Sequence, residues 1–336
     1  MVRDSAAPGK RCPYDVCRTS PVHELPADAP APLVLYVPGL LPKPPANLHR
    51  DALKRCLVAG IRRVDASSAE QLRASGDGFD IVAWTYEFYA AHRDLAGDRA
   101  AIDRVIERPS ASVADMRESS SWRRRLTLWL YRTGDLLPFL IPHLANERVE
   151  LHLRDLHRYV RDEDGVASRV RKQLKLALRA AHESGRPILL LAHSMGSVIA
   201  FDALWELTHV DGVTWPVDLW VTLGSPLGQR YLQRRLLGRD QRGAARYPAN
   251  VRRWVNIAAV GDMTAIDPVL ADDYGEMLTL GLVESITDLA LYSHFRLDGT
   301  LNVHAEYGYL ANAVTGKIVA DWWSSACAGG RGGAAA

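Results

Sequence analysis

The 336-residue chain has few cysteines, little net charge and no long apolar run. Its four cysteines include one closely spaced pair, Cys12 and Cys17, which lacks the second pair or the histidines of a zinc site, so we expect no metal site. A formal net charge of +2 leaves no electrostatic basis for binding nucleic acid. Residues 1–10 carry charges where an export signal would be apolar, and the most apolar stretch, 126–144, is broken by charges and prolines. These absences predict a cytoplasmic protein with reduced thiols.

Apolar residues, in contrast, make up 48% of the sequence, which suffices for a large buried core. Residues 1–31 are rich in proline, alanine and charge without periodicity, and residues 328–336 are rich in glycine and alanine. We expect both ends to be loosely ordered. The sequence between them, 32–327, is predicted to form one domain.

Short apolar runs alternate with helical patterns along this domain. The alternation is typical of the α/β class, in which a mostly parallel central sheet is flanked by helices on both faces. Strands are predicted at 33–37, 79–86, 188–192, 217–223, 251–259 and 286–292, and helices at 166–184 and 195–207.

A long segment, 90–165, separates the second strand from the next helix and is too long for an ordinary connection. Trp122, Leu126 and Trp129 follow one another at helical spacing, so we interpret the segment as a mostly helical insertion that covers one end of the sheet as a lid or cap. The arginines at 123–125 beside the tryptophans leave a second interpretation open, a helix lying on a lipid surface.

At Ser194 an apolar strand runs directly into a helix. A bend with so little loop forces the corner residue into strained backbone angles and presses its neighbours together, so only small residues fit two positions away, where the chain has Ala192 and Gly196. The serine hydroxyl is thereby expected to stand clear at the carboxyl edge of the sheet, beside the positive end of the following helix.

The pentapeptide Ala192-His193-Ser194-Met195-Gly196 resembles the nucleophile elbow G-x-S-x-G of the α/β-hydrolase superfamily, in its serine esterase and lipase-like branch, with alanine in place of the first glycine. The resemblance implies an α/β-hydrolase fold, Ser194 as nucleophile, no cofactor, and a chain order of serine, acid and histidine.

Two acids and two histidines downstream of Ser194 fit this order. Asp262 comes directly after the strand at 251–259 and resembles the acid of the family, and Asp267 is its rival. His304 follows the last predicted strand and precedes a helix, as the late histidine of the family does, whereas His294 lies within or just beyond that strand. The resemblance therefore favours Ser194, Asp262 and His304 as the catalytic triad.

Two backbone amides are the candidates for an oxyanion hole. One is the amide of Met195, which follows the nucleophile, and the other, by resemblance, is the amide of Leu40 in Pro38-Gly39-Leu40 after the strand at 33–37. Gly39 and His193 are expected to line the substrate pocket, together with Ser225 and Leu227 of a loop that is common in lipase-like members.

These residues predict a serine hydrolase that cleaves a small-molecule or lipid-like carboxylic ester through an acyl-enzyme, with peripheral membrane contact left open. Acyl transfer, thioester cleavage and amide cleavage use the same triad, so the residues do not separate them. A non-catalytic lipid- or protein-binding module with the same fold is the alternative from another class.

Overall fold

A computed structural model describes residues 30–136 and 147–329. Six parallel strands form its main sheet in the order β2-β1-β3-β4-β5-β6. The strands are β1 (Leu33–Val37), β2 (Phe79–Ile81), β3 (Ile188–His193), β4 (Leu219–Leu223), β5 (Arg253–Ala259) and β6 (Ser285–Leu291). A separate antiparallel hairpin, β7 (Arg296–Leu297) and β8 (Thr300–Leu301), follows the sheet. The predicted α/β class with a parallel sheet is confirmed.

Helices connect the strands and cover both faces of the sheet. They are α1 (Ala46–Arg62), α2 (Ala66–Ala74), α3 (Trp84–Tyr89), α4 (Ala96–Glu107), α5 (Val113–Ser119), α6 (Trp122–Leu136), α7 (Glu147–Val160), α8 (Val166–Glu183), α9 (Met195–His209), α10 (Arg230–Gln233), α11 (Leu270–Asp273), α12 (Gly275–Thr279), α13 (Glu306–Leu310) and α14 (Ala313–Gly329). Helix α14 continues past the domain boundary predicted at 327.

The sheet is apolar on both faces because successive residues of its central strands point to opposite sides. Along β3, Ile188, Leu190 and Ala192 enter the core under α8 and α9. Leu189 and Leu191 enter the core under α1, α4 and α14. Four consecutive aliphatic residues before the Ser194 bend therefore anchor β3 in two cores at once.

The prediction of a strand over 79–86 is wrong in its second half. Strand β2 ends at Ile81, and α3 begins at Trp84. The buried Trp84 donates its indole N–H to the carbonyl oxygen of Pro38 (2.8 Å) and packs edge-on against Phe88, with ring centroids 5.7 Å apart. A helical turn brings residues four apart into contact, which a continued strand would not do.

The chain reverses its direction across the sheet at β1. From β1 it passes to β2 on one side and then back to β3 on the other. The connections diverge at such a point, so a crevice forms between the carboxyl ends of β1 and β3, and open α/β sheets bind ligands there. The residues that follow these two strands are Pro38-Gly39-Leu40 and Ser194.

The described part of the segment 90–165 is mostly helical, as predicted, and consists of α4 to α7. The Arg124 side chain ties α6 to the turn after β5 and to strand β8 by donating to the carbonyl oxygens of Gly261 (3.4 Å) and Leu301 (3.1 Å). Residues 137–146 lie outside the described residues, as do the segments 1–29 and 330–336. Over 30–136 and 147–329, no helix has both the length and the apolar character needed to cross a bilayer.

Candidate active site

Ser194 occupies the bend between β3 and α9, which have no other residue between them. Its backbone angles are φ 53° and ψ −125°, a conformation that residues with a side chain rarely adopt. Strain of this kind costs about 1–3 kcal/mol and is concentrated at functional sites. The residue is 7% exposed, so its hydroxyl is more covered than the sequence suggested.

The loop after β1 passes so close to the bend that only glycine fits at two positions. A Cβ atom on Gly196 would lie 2.3 Å from the carbonyl oxygen of Val37. A Cβ atom on Gly39 would lie 2.9 Å from the Cβ atom of Ser194. These two close approaches explain why glycine is required at positions 39 and 196 and why Ser194 is largely covered. Ala192, which stands where the family motif has glycine, is fully buried in the sheet.

The structure brings Ser194, His304 and Asp262 together in one hydrogen-bonded chain. The distance from Ser194 Oγ to His304 Nε2 is 2.9 Å, and the distance from His304 Nδ1 to Asp262 Oδ2 is 2.8 Å. If His304 carries its proton on Nδ1 and donates it to Asp262, its Nε2 is free to accept the serine proton. The His304 side chain is 31% exposed, and it joins the covered serine to the surface.

Asp262 is fully enclosed and accepts three hydrogen bonds. Besides His304, the hydroxyl of Tyr309 donates to Oδ2 (2.7 Å) and the amide of Thr264 donates to Oδ1 (2.8 Å). Burial alone raises the pKa of a carboxyl group, but the attraction of His304 and these donors together hold the pKa of Asp262 below its usual value. The carboxylate is therefore ionised at neutral pH, as an orienting acid must be.

Tyr309 was not singled out from the sequence. Its hydroxyl accepts the amide N–H of Ala259, the last residue of β5, at 2.7 Å and donates to Asp262. The ring is fully buried. One side chain thus fixes the carboxylate to the strand that carries it. The only signal was the proximity of Tyr309 to His304 in sequence, which does not reveal a contact with β5.

His193 lies beside the hydrogen-bonded chain of Ser194, His304 and Asp262 and does not bond the serine hydroxyl. Its Nε2 donates to the backbone carbonyl of His304 (2.8 Å), and the two rings lie 4.7 Å apart between centroids. Burial and the neighbouring His304 lower the pKa of His193 to about 3. The ring is therefore neutral and weakly basic at physiological pH, and it supports the backbone of His304.

Two residues after His304, Glu306 forms a buried ionic cluster that the sequence did not indicate. Glu306 contacts Lys43 Nζ (3.0 Å) and His49 Nε2 (2.9 Å) through one oxygen and accepts the Tyr36 hydroxyl (3.0 Å) with the other. Burial raises the pKa of a carboxyl group, yet Lys43 and His49 hold the pKa of Glu306 well below its usual value. The cluster links the start of α13 to α1 and β1.

The two predicted donor amides, those of Met195 and Leu40, directly follow Ser194 and Gly39, and Gly39 packs against the bend. Met195 is the first residue of α9, so its N–H has no carbonyl partner within the helix. The N–H of Leu40 has no hydrogen-bond acceptor among residues 30–136 and 147–329, whereas the next amide, that of Leu41, donates to the Tyr89 hydroxyl at 3.0 Å. Neither amide has a hydrogen-bond acceptor among the described residues, and their role as an oxyanion hole stays a prediction.

Ser225 and Leu227 lie beneath the bend. The Ser225 hydroxyl is 2.7 Å from that of Ser197, and it accepts the amide of Leu227 at 3.2 Å. Both residues are buried, and Leu227 packs into the core under α9. They support the elbow from below, and their contact with a substrate stays a prediction.

The two alternative candidates, His294 and Asp267, do not lie beside Ser194. His294 is buried with its Nε2 3.1 Å from the carbonyl oxygen of Arg108, at the end of α4. Asp267 lies against Gly228, where a Cβ atom would be 2.4 Å from the Asp267 carbonyl oxygen, and its side chain accepts the amide of Val269 at 3.5 Å. The geometry therefore places Asp262 and His304, not their rivals, beside Ser194.

Within the described residues, no group of three or more histidine, cysteine, aspartate or glutamate side chains is arranged to hold a metal ion, and Cys12 and Cys17 lie outside them. Comparison of the sequence and structure with protein-family models, curated proteins and solved structures found no match.

Proposed function

We propose that this chain adopts the α/β-hydrolase fold and acts as a serine hydrolase on carboxylic esters. The observation that carries the proposal is the pair of short contacts from Ser194 Oγ to His304 Nε2 (2.9 Å) and from His304 Nδ1 to Asp262 Oδ2 (2.8 Å). The strained φ of 53° at the serine supports it independently, since a helix-capping serine needs no such conformation.

The reaction follows from this geometry. Ser194 Oγ attacks the ester carbonyl while its proton moves to His304 Nε2, and Asp262 stabilises the imidazolium that forms. The oxyanion accepts hydrogen bonds from the amides of Met195 and Leu40. The tetrahedral intermediate then expels the alcohol, which takes the proton from His304. Water, deprotonated by the same imidazole, attacks the acyl-enzyme, and the carboxylic acid leaves as Ser194 recovers its proton.

An apolar surface on α6 supports an ester with an apolar acyl or alcohol group. Trp122 is 69% exposed and Leu126 is 47% exposed, and they lie on one face of the helix that Arg124 ties to the Gly261 carbonyl, next to Asp262. Helix α6 also packs against α10, beyond the Ser225 loop. In this proposal α6 belongs to a cap over the site, and the apolar part of the substrate lies against it.

The test is a series of p-nitrophenyl esters of increasing acyl length, assayed with a thioester and an anilide of matched acyl group. We expect ester hydrolysis to exceed anilide hydrolysis, and Ser194→Ala to abolish it. Ser197→Ala is the matched control, because Ser197 is a buried serine of the same bend whose hydroxyl bonds Ser225 and the backbone carbonyl oxygen of Ser194 but not His304. Turnover that survives in Ser194→Ala, or no turnover of any acyl compound, would contradict the proposal.

A further inference from the structure

An arginine-rich cavity lies apart from the triad, at the junction of α7 and the segment that follows the Ser225 loop. Its volume is about 400 Å³, within the range of small-molecule sites. The described residues that line it are Val160, Tyr231, Arg234, Arg235 and Arg239. No described residue of the lining is acidic.

The described residues around this cavity provide little negative charge to compensate its arginines. Arg234 is exposed and forms no ion pair with any described residue. Among the described residues Arg239 forms an ion pair with Asp240 at 3.4 Å, and both of these side chains are exposed, so the pair contributes little. Val160 is the last residue of α7, and the carboxyl end of a helix carries a partial negative charge of about half an elementary charge. The three positive charges of the guanidinium groups exceed it.

Arg235 is held in a defined position. Its Nη1 donates to the Tyr231 carbonyl oxygen (2.6 Å), and its guanidinium lies over the Tyr231 ring, 3.6 Å from the centroid. A guanidinium fixed on one side still presents donors on the other, and planar donors in pairs suit the oxygens of a phosphate group. The Val160 side chain and the tyrosine add apolar surface beside these donors.

From this juxtaposition we propose that the cavity binds the phosphate group of an organic phosphomonoester. Three guanidinium groups supply the donors for a phosphate, and the volume beyond them accommodates the organic part. The segment that carries the arginines begins at Ser225, whose hydroxyl bonds Ser197 below the nucleophile bend, and α10 packs against α6. The proposal does not depend on Ser194 being a nucleophile.

The test is isothermal titration calorimetry of the full chain with inorganic phosphate and with glycerol 3-phosphate. We expect saturable binding to one site, weakened about a hundredfold in Arg234→Gln/Arg239→Gln because each of the two lost charge-assisted hydrogen bonds costs about a factor of ten. The matched control is Arg104→Gln/Arg117→Gln, which removes the same charge from two exposed arginines of α4 and α5. Binding in this control should match that of the wild type within about twofold.

Two further arms identify the source of the phosphate and separate this proposal from the hydrolase proposal. Sedimentation with phosphatidic acid vesicles, compared with phosphatidylcholine vesicles, shows whether a lipid headgroup occupies the site. Binding that requires Arg234 and Arg239 and occurs with phosphatidic acid but not with phosphatidylcholine identifies a lipid phosphate as the ligand. Repeating calorimetry with Ser194→Ala keeps the readout independent of turnover. The proposal is overturned if neither phosphate compounds nor phosphatidic acid bind, or if both double variants weaken binding equally.

Discussion

The strained bend at Ser194 makes an unusual prediction about two variants that both remove the hydroxyl. Ser194→Ala keeps a Cβ atom in a conformation with φ 53° and ψ −125°, so it retains a strain of about 1–3 kcal/mol. Ser194→Gly adopts these angles freely. Glycine also gives the unfolded chain more freedom, which offsets about 0.4–1 kcal/mol of the gain. We therefore expect Ser194→Gly to be more stable than Ser194→Ala by about 1 kcal/mol, whereas alanine is the more stable residue at ordinary positions.

Urea unfolding followed by circular dichroism measures this difference directly, and thermal unfolding should show a midpoint about 2 °C higher for Ser194→Gly. Both variants lose the hydrogen bond to His304, so its loss cancels in the comparison. The control is Ser197→Gly against Ser197→Ala, three residues on and inside α9, where alanine should be more stable by about 1 kcal/mol. An alanine at 194 that equals or exceeds glycine in stability would refute the strained elbow.

Three further predictions concern the groups around His304. Asp262→Asn should lower kcat by about four orders of magnitude because an amide favours the wrong imidazole tautomer, whereas Asp267→Asn should leave kcat within a fewfold of the wild type in the same ester assay. Tyr309→Phe leaves the buried Ala259 amide without its acceptor and should reduce the free energy of unfolding by about 1–3 kcal/mol in urea titrations. His193 has its pKa lowered to about 3, so between pH 6.5 and 3 the unfolded chain binds a proton there that the folded chain does not; stability should fall as pH falls through this window, and less steeply in His193→Gln.

Each of these has a clear contrary outcome. Equal losses in the two aspartate variants would show that the carboxylate beside the imidazole has no orienting role. A Tyr309→Phe variant as stable as the wild type would mean that its hydroxyl is replaced by another acceptor. An acid-induced loss of stability that is the same in wild type and His193→Gln would assign that loss to other groups.

The sequence predicted the strands well where apolar runs were bounded by Pro, Gly or a polar turn, because such runs have few alternatives. It was wrong after Ile81, where Trp84 and Phe88 are equally compatible with a strand or a helix. The choice depends on a tertiary contact, the bond from the Trp84 indole to the Pro38 carbonyl, which no local pattern encodes.

At the candidate site, too, local patterns were predictable from the sequence and long-range contacts were not. Ser194, Asp262 and His304 could be proposed from the sequence because each follows the end of a predicted element and because their chain order is that of the superfamily which the Ser194 pentapeptide resembles. Tyr309 and Glu306 were not, because their roles depend on contacts with β5, α1 and β1 across the fold. The low exposure of Ser194 also follows from a long-range contact, that with Gly39.

The most direct test of a nucleophilic Ser194 is intact-mass analysis after treatment with a fluorophosphonate, followed by peptide mapping. We expect one adduct, on Ser194, that is absent in Ser194→Ala and strongly slowed in His304→Ala. A folded wild-type chain that stays unmodified, or that is labelled at another serine, would contradict the proposal that this hydroxyl is activated by His304.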